Sequence, residues 1–175
     1  MSEPLEPLTP MPDLPPAKAP AEDERSVLLG YLDYHRTVLA RKVGGLSDAQ
    51  SRIAACPPSE MTLLGMIRHM ADVERFWFRR RLVGEDLPAL FDEDAEWVLD
   101  DGGTLTDALE MWHAEIAASD ANIAATEVDA FEQVAVEGQS VSTLRRVLVH
   151  LIEEYARHCG QADLLRQAID GAVGD

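Results

Sequence analysis

Basic residues are scarce in this chain. Fifteen Lys and Arg stand against 32 Asp and Glu in 175 residues, for a formal net charge of −17. That balance excludes nucleic-acid phosphate and anionic membrane as the main partners, because both recruit proteins through positive charge. Cysteine is nearly absent. Cys56 and Cys159 form neither a metal-type CxxC pair nor a disulfide framework. Cys159 follows His158 directly and so projects about 100° away from it on a helix, which makes it a small buried hydrophobe rather than a co-ligand. No apolar run approaches membrane-spanning length and no basic-then-apolar leader is present, so a cytoplasmic protein is expected. Two-residue alternation is also missing, which argues against sheets with one face in water.

What the chain does have is helical periodicity. Apolar content of 46% supports a substantial core, and the length suits one domain. Seven of the ten prolines fall within residues 1–21. That segment reads as a disordered or polyproline-like tail, outside the fold. From about Glu22, Val27, Leu28, Tyr31, Leu32, His35, Val38, Leu39 and Val43 recur at three- and four-residue steps and predict a first helix, ended by Gly44-Gly45. Ser47-Asp48 starts a short helical turn. A second long helix is expected from Ser59 or Thr62 to Val83, a third over 104–126 with Thr104 and Asp107 at its cap, and a fourth from Ser140 or Ser142 to about Ile169. An acidic connection of about twenty residues with Phe91 and Trp97 embedded separates the second and third, and its aromatics predict a packed loop. The domain is therefore residues 22–171, an all-α four-helix bundle with long connections, followed by a short tail at 172–175.

The most informative spacing lies in EEYARHCGQADLLRQAIDG, where Glu154 and His158 are four residues apart and His150 another four upstream. Residues at i, i+4 and i+8 share a helix face. Relative to the core stripe of Leu144, Leu148, Leu151, Tyr155, Ala162 and Ile169, His158 falls about 40° from the inward direction, Glu154 about 80° and His150 about 120°. His158 thus points inward, Glu154 flanks it, and His150 lies nearer the surface. On the second helix, in LLGMIRHMADVERFWF, His69 occupies a boundary position about 80° from the Met66, Met70, Val73, Trp77 stripe. Two imidazoles and a carboxylate form a donor set for a first-row divalent cation, with coordination positions left open. A hydrogen-bonded core histidine is the plainer alternative. Tyr155, Tyr31 and His35 lie on predicted inward faces and read chiefly as packing residues, with a general-base role as the sharper alternative. His113 reads as a surface or boundary residue. Arg68, Arg75, Arg79, Arg80 and Arg81 form a basic cluster whose last members suit a helix C-terminus.

At LLGMIRHMADVERFWFRRRLVG and LVHLIEEYARHCGQADLLRQAIDG the chain resembles the DinB superfamily, over about residues 24–171, and within it the branch of mini-circle proteins. The resemblance implies a DinB-like bundle with up-down-down-up connectivity. It also implies a divalent-metal site in which His69 takes the second-helix position and Glu154 and His158 take the later pair, as in mycothiol-dependent maleylpyruvate isomerase. Relatives often carry a further histidine three residues after the pair, where this chain has Gln161; a hydrogen bond from Gln161 to a metal-bound water is one expectation there. The implied activity is a mycothiol-dependent S-transferase or a related detoxification reaction, with a small-molecule thiol and an electrophile as partners and the metal (zinc, nickel, iron or manganese) open. A homodimer is expected. The alternatives are a non-catalytic helical bundle that binds a metal or small molecule, and a metal-dependent hydrolase.

Overall fold

A computed structural model describes residues 9–10, 12–13, 23–92, 95–100, 102–126 and 143–173. Helix α1 spans Glu24–Val43, and its first turn is capped by the Asp23 carboxylate, which accepts from the Ser26 N–H. A single turn, α2, covers Asp48–Ser51 behind a Ser47–Gln50 capping box. Helix α3 runs over Leu63–Glu74 and continues as a π-helical stretch, Arg75–Leu82. A 3-10 turn at Ala95–Trp97 precedes α4, Leu105–Ala125, whose Thr104 and Asp107 form the expected reciprocal cap. Helix α5 spans Leu144–Asp170 and ends at Gly171 with φ 80°, a left-handed turn that glycine adopts without a Cβ penalty. Its cap is Thr143, whose hydroxyl accepts from the Arg146 N–H; Ser140 and Ser142, the expected caps, lie outside the described residues.

Side-chain pairs along the helices fix the connectivity. Arg145 reaches Glu24 at one end of α5 and α1, while Arg166 reaches the Lys42 and Gly44 carbonyls at the other, so these helices are parallel. Arg75 meets Glu115 and the Phe78 carbonyl accepts from Asn122, so α3 and α4 are parallel too. The two pairs oppose each other: Arg25 near the start of α1 caps the Ile123 and Thr126 carbonyls at the end of α4. The bundle is up-down-down-up. Parallel successive helices need a crossover connection as long as a helix, which accounts for the long segment between α3 and α4.

Leu32, Leu39, Leu64, Ile67, Phe78, Trp112, Leu148 and Leu151 form the core. A polar knot is buried among them. The Glu74 carboxylate is 0% exposed and receives both Nε and Nη2 of Arg36 at 2.8 Å. The Tyr155 hydroxyl donates to it at 2.6 Å and itself accepts from the Trp112 indole N–H at 2.8 Å. The Arg36 Nη1 extends the knot to Asp120 on α4. Tyr155 is therefore a buried hydrogen-bonding residue, and burial followed by the adjacent Glu74 charge pushes its phenol well above its ordinary pKa.

Two expectations need correction. The second long helix is not α-helical throughout; its final eight residues take π geometry, which a 3.6-residue pattern does not register because Phe78 and Leu82 stay buried in either winding. The last members of the Arg cluster, Arg79, Arg80 and Arg81, do fall in the final turn of that helix, and Arg75 and Arg79 in addition bind Glu115, with Arg79 also holding Glu85. Tyr31 is exposed rather than inward. The start of the chain also touches the fold, since Thr9 donates to the Leu46 carbonyl and accepts from Gly45, and the Pro12 carbonyl accepts from Arg41.

Glu74→Ala leaves Arg36 buried without its main counter-ion and is expected to destabilise the fold by about 3–5 kcal/mol. Glu24→Ala, at the exposed pair with Arg145, should cost at most about 1 kcal/mol. Urea unfolding of the two variants measures the contrast; similar losses would show that the knot does not hold the bundle.

Candidate metal centre

His69 on α3 and Glu154 and His158 on α5 come together where the two antiparallel helices face each other. One ligand atom from each lies within 4.8 Å of the others. The two imidazole centroids are 5.0 Å apart and nearly edge to face. The helical phases read from the sequence are reproduced: His158 is buried, while Glu154 and His69 are half-buried.

Hydrogen bonds specify which ring nitrogens remain for a metal. His69 Nδ1 lies 3.1 Å from Glu96 Oε1. A carboxylate only accepts, so Nδ1 carries a proton and Nε2 is the ring nitrogen left for a metal. His158 Nδ1 donates to Gln161 Oε1 at 2.7 Å, which leaves its Nε2 toward Glu154 Oε2 at 3.4 Å. Gln161 thus orients a histidine from one turn further along the same helix, rather than standing over the open side of the cluster. Burial, then the neighbouring His69, holds the His158 imidazole below its ordinary pKa, against the upward pull of Gln161 and Glu154. The ring is neutral at pH 7, the form that ligates metals.

Glu154 is the anomaly. Its side chain is only 14% exposed, yet the His150, Arg157 and His158 nitrogens around it stand at 3.4–3.5 Å, beyond the 2.7–3.2 Å of a well-formed N–H···O bond. The carboxylate and the bare His158 Nε2 present lone pairs to each other. Such an arrangement is relieved by a cation between them, and the nitrogen–oxygen donor set fits a divalent one. His150 stays outside the cluster. It is 31% exposed, touches the other Glu154 oxygen, and lies against the Trp77 ring with centroids 4.4 Å apart.

The acidic connection supplies a wall. The Trp97 ring stacks on His69 with centroids 5.4 Å apart and an interplanar angle of 28°. It approaches α3 closely because residue 65 is glycine: a Cβ there would sit 2.8 Å from Trp97 Cε3. Arg68 spreads over the Phe91 ring and donates to the Val98 and Ala95 carbonyls. The loop is packed, as its aromatics predict. Glu96, however, escapes sequence reasoning, because it lies 27 residues from His69 in an irregular segment where no periodicity announces a partner.

The other named residues lie elsewhere in the fold. His113 is exposed and stacks on Trp112. His35 packs edge-on against Tyr34, and its carbonyl accepts the Cys159 thiol. Burial pushes that thiol up to about 12. A cavity of about 400 Å³ opens between α1 and α4, lined by Asp33, Arg36, Trp112 and Asp120 among others. None of the three cluster residues lines it, and Arg36 already holds both aspartates.

The family model described as Mycothiol-S-transferase matches residues 27–171. No curated protein matches the chain. Among the described residues no helix is long and apolar enough to cross a membrane.

Two outcomes follow from this geometry. Gly65→Ala should displace the Trp97 ring and cost about 1–3 kcal/mol as an overpacked contact; denaturant unfolding measures it, and an unchanged midpoint would show that Trp97 does not seat there. With its thiol raised to about 12, Cys159 holds on the order of one thiolate in ten thousand at pH 8. Iodoacetamide at that pH should leave Cys159 unmodified by mass spectrometry until the protein is denatured. Rapid labelling in the folded state would contradict the assignment.

Proposed function

The chain belongs to the mycothiol S-transferase family, whose model covers residues 27–171, and from that premise we propose that it is a metal-dependent enzyme transferring a low-molecular-weight thiol such as mycothiol to an electrophile. The observation that carries the proposal is the pairing of a barely hydrogen-bonded Glu154 with two imidazoles whose Nδ1 positions are already engaged. His69, Glu154 and His158 are assigned as the protein ligands. A divalent cation held there supplies a Lewis acid that keeps a thiol deprotonated at neutral pH.

The chain's own residues shape the rest. Three protein donors leave coordination positions for a substrate, as in reactive rather than closed structural sites. The nucleophilic sulfur comes from a co-substrate, because Cys159 is buried with a raised pKa and hydrogen-bonds into α1. Tyr155 takes no part as a base, since its hydroxyl is committed to Glu74 and its phenol stays protonated. Trp97 covers one face of His69 and shields that side of the site from water. In the transfer, the thiolate sulfur forms a bond to an electrophilic carbon, and the displaced electron pair leaves with the departing group.

Metal content and turnover test the two halves separately. The wild-type protein is expected to carry a divalent metal stoichiometrically, and His69→Ala, Glu154→Ala and His158→Ala should each lose it; full occupancy in these variants would sink the ligand assignment. Metal-loaded protein should consume mycothiol with an electrophile, measured by loss of free thiol, and a chelator should stop it. A protein that retains its metal but turns over no thiol with any of a panel of electrophiles would remove the transferase reading and leave the metal site standing.

A further inference from the structure

Each imidazole of the cluster has an outer partner, and the two partners differ in kind. His158 gives its Nδ1 proton to a neutral amide three residues along its own helix. His69 gives its proton to Glu96, a carboxylate carried by a different element, the 3-10 turn Ala95–Trp97. We infer that Glu96 is the positioning residue of the metal centre, fixing the tautomer and angle of His69 and making it the more strongly donating of the two imidazoles; this rests on the metal assignment proposed above.

The turn that carries Glu96 is held from several directions. Its first N–H donates to the Asp92 carbonyl at 2.9 Å, and Val98 N–H closes the turn on the Ala95 carbonyl at 3.1 Å. Arg68 donates to the Ala95 and Val98 carbonyls at 3.4 and 3.3 Å. Arg52 anchors the following strand of chain through the Leu99 carbonyl at 3.0 Å and through Gly103. Arg68 immediately precedes His69, so one turn of α3 carries both the ligand and the clamp on the loop that orients it. Trp97, next to Glu96, stacks on the flat of the same imidazole. The ring is therefore held at its edge by Glu96 and on its face by Trp97.

The chemical consequence comes from charge. A carboxylate accepting from Nδ1–H pushes electron density toward Nε2 and strengthens it as a ligand, and loss of such partners typically weakens metal binding 10–100-fold. An amide does so less. Without Glu96 the ring is also free to move its proton to Nε2, which blocks ligation. A loop with no metal ligand of its own thus sets the affinity of the site, and by linkage metal binding should order that loop.

The test is a zinc titration against a chromophoric chelator on the full chain, comparing wild type, Glu96→Ala and the isosteric Glu96→Gln. Glu96→Ala is expected to bind zinc about 10–100-fold more weakly, with Glu96→Gln in between. Cobalt(II) absorption should shift in both variants, because the ligand field at His69 changes. Circular dichroism and thermal melting of the metal-free proteins report any loss of fold, and Glu96→Gln, which changes no volume, keeps the comparison available if Glu96→Ala is unstable. Unchanged zinc affinity and cobalt spectra in folded variants would overturn the inference, even if their melting temperatures fell. Wild-type protein that binds no divalent metal would instead overturn the metal reading beneath it.

Discussion

The structure turns on one buried carboxylate. Glu74 is fully enclosed on α3, and a charge in that position is tolerable only when paired and hydrogen-bonded. Arg36 from α1 and Tyr155 from α5 satisfy it, and Trp112 and Asp120 from α4 complete the knot. All four long helices are thereby tied at one level. From that level, His69 lies five residues back along α3 and His158 three residues on along α5. The helices are antiparallel, so both displacements run the same way, by roughly 7.5 and 4.5 Å at the α-helical rise. The knot thus sets the two imidazoles at nearly the same height, and their centroids stand 5.0 Å apart.

Two acidic residues at the α3–α5 interface show opposite solutions to the same problem. Glu74 has a guanidinium fork and a phenol, all at 2.6–2.8 Å. Glu154 has only looser contacts at 3.4–3.5 Å, two of them to imidazoles. The fold demonstrably can supply a buried carboxylate with close donors, since it does so at Glu74 through Tyr155, the residue next to Glu154. That it leaves Glu154 underserved, beside two histidines whose protons are directed elsewhere, is the arrangement a cation requires. A purely structural core would gain from hydrogen bonds that this site forgoes.

Much of this was legible in the sequence, and the reason is local. Helix spans follow from apolar residues at three- and four-residue steps, and the inward turn of His158 with Glu154 at its flank follows from counting 100° per residue. His69 follows from the same phase on another helix, and its meeting with the α5 pair is expected first from those phases and then from the resemblance. What escaped depends on contacts between distant segments. Glu96 belongs to an irregular loop without periodicity. Tyr155 reads as one more apolar-face residue until Glu74 is placed opposite it. The Arg cluster reads as dipole complementation, which Arg79, Arg80 and Arg81 bear out, but its pairing with Glu115 across on α4 has no local signal. The π stretch is invisible for a different reason, since Phe78 and Leu82 suit an inward face in either winding.

The division of labour between helices and loop bears on how one bundle can host different reactions. The proposed ligands sit on helices locked by the central knot, where a shift of one residue would turn a donor away from the cluster. The wall and the outer partner of His69 come from residues 95–97, held by Arg68 and by the packing of Trp97 against α3. Loops tolerate substitution and insertion far better than packed helices. Changes in that segment can therefore alter the shape beside the site, and the donor strength of His69, without disturbing the ligand geometry. In such an architecture, the proposed metal affinity and the shape of the space beside the cluster would both depend on the same short turn.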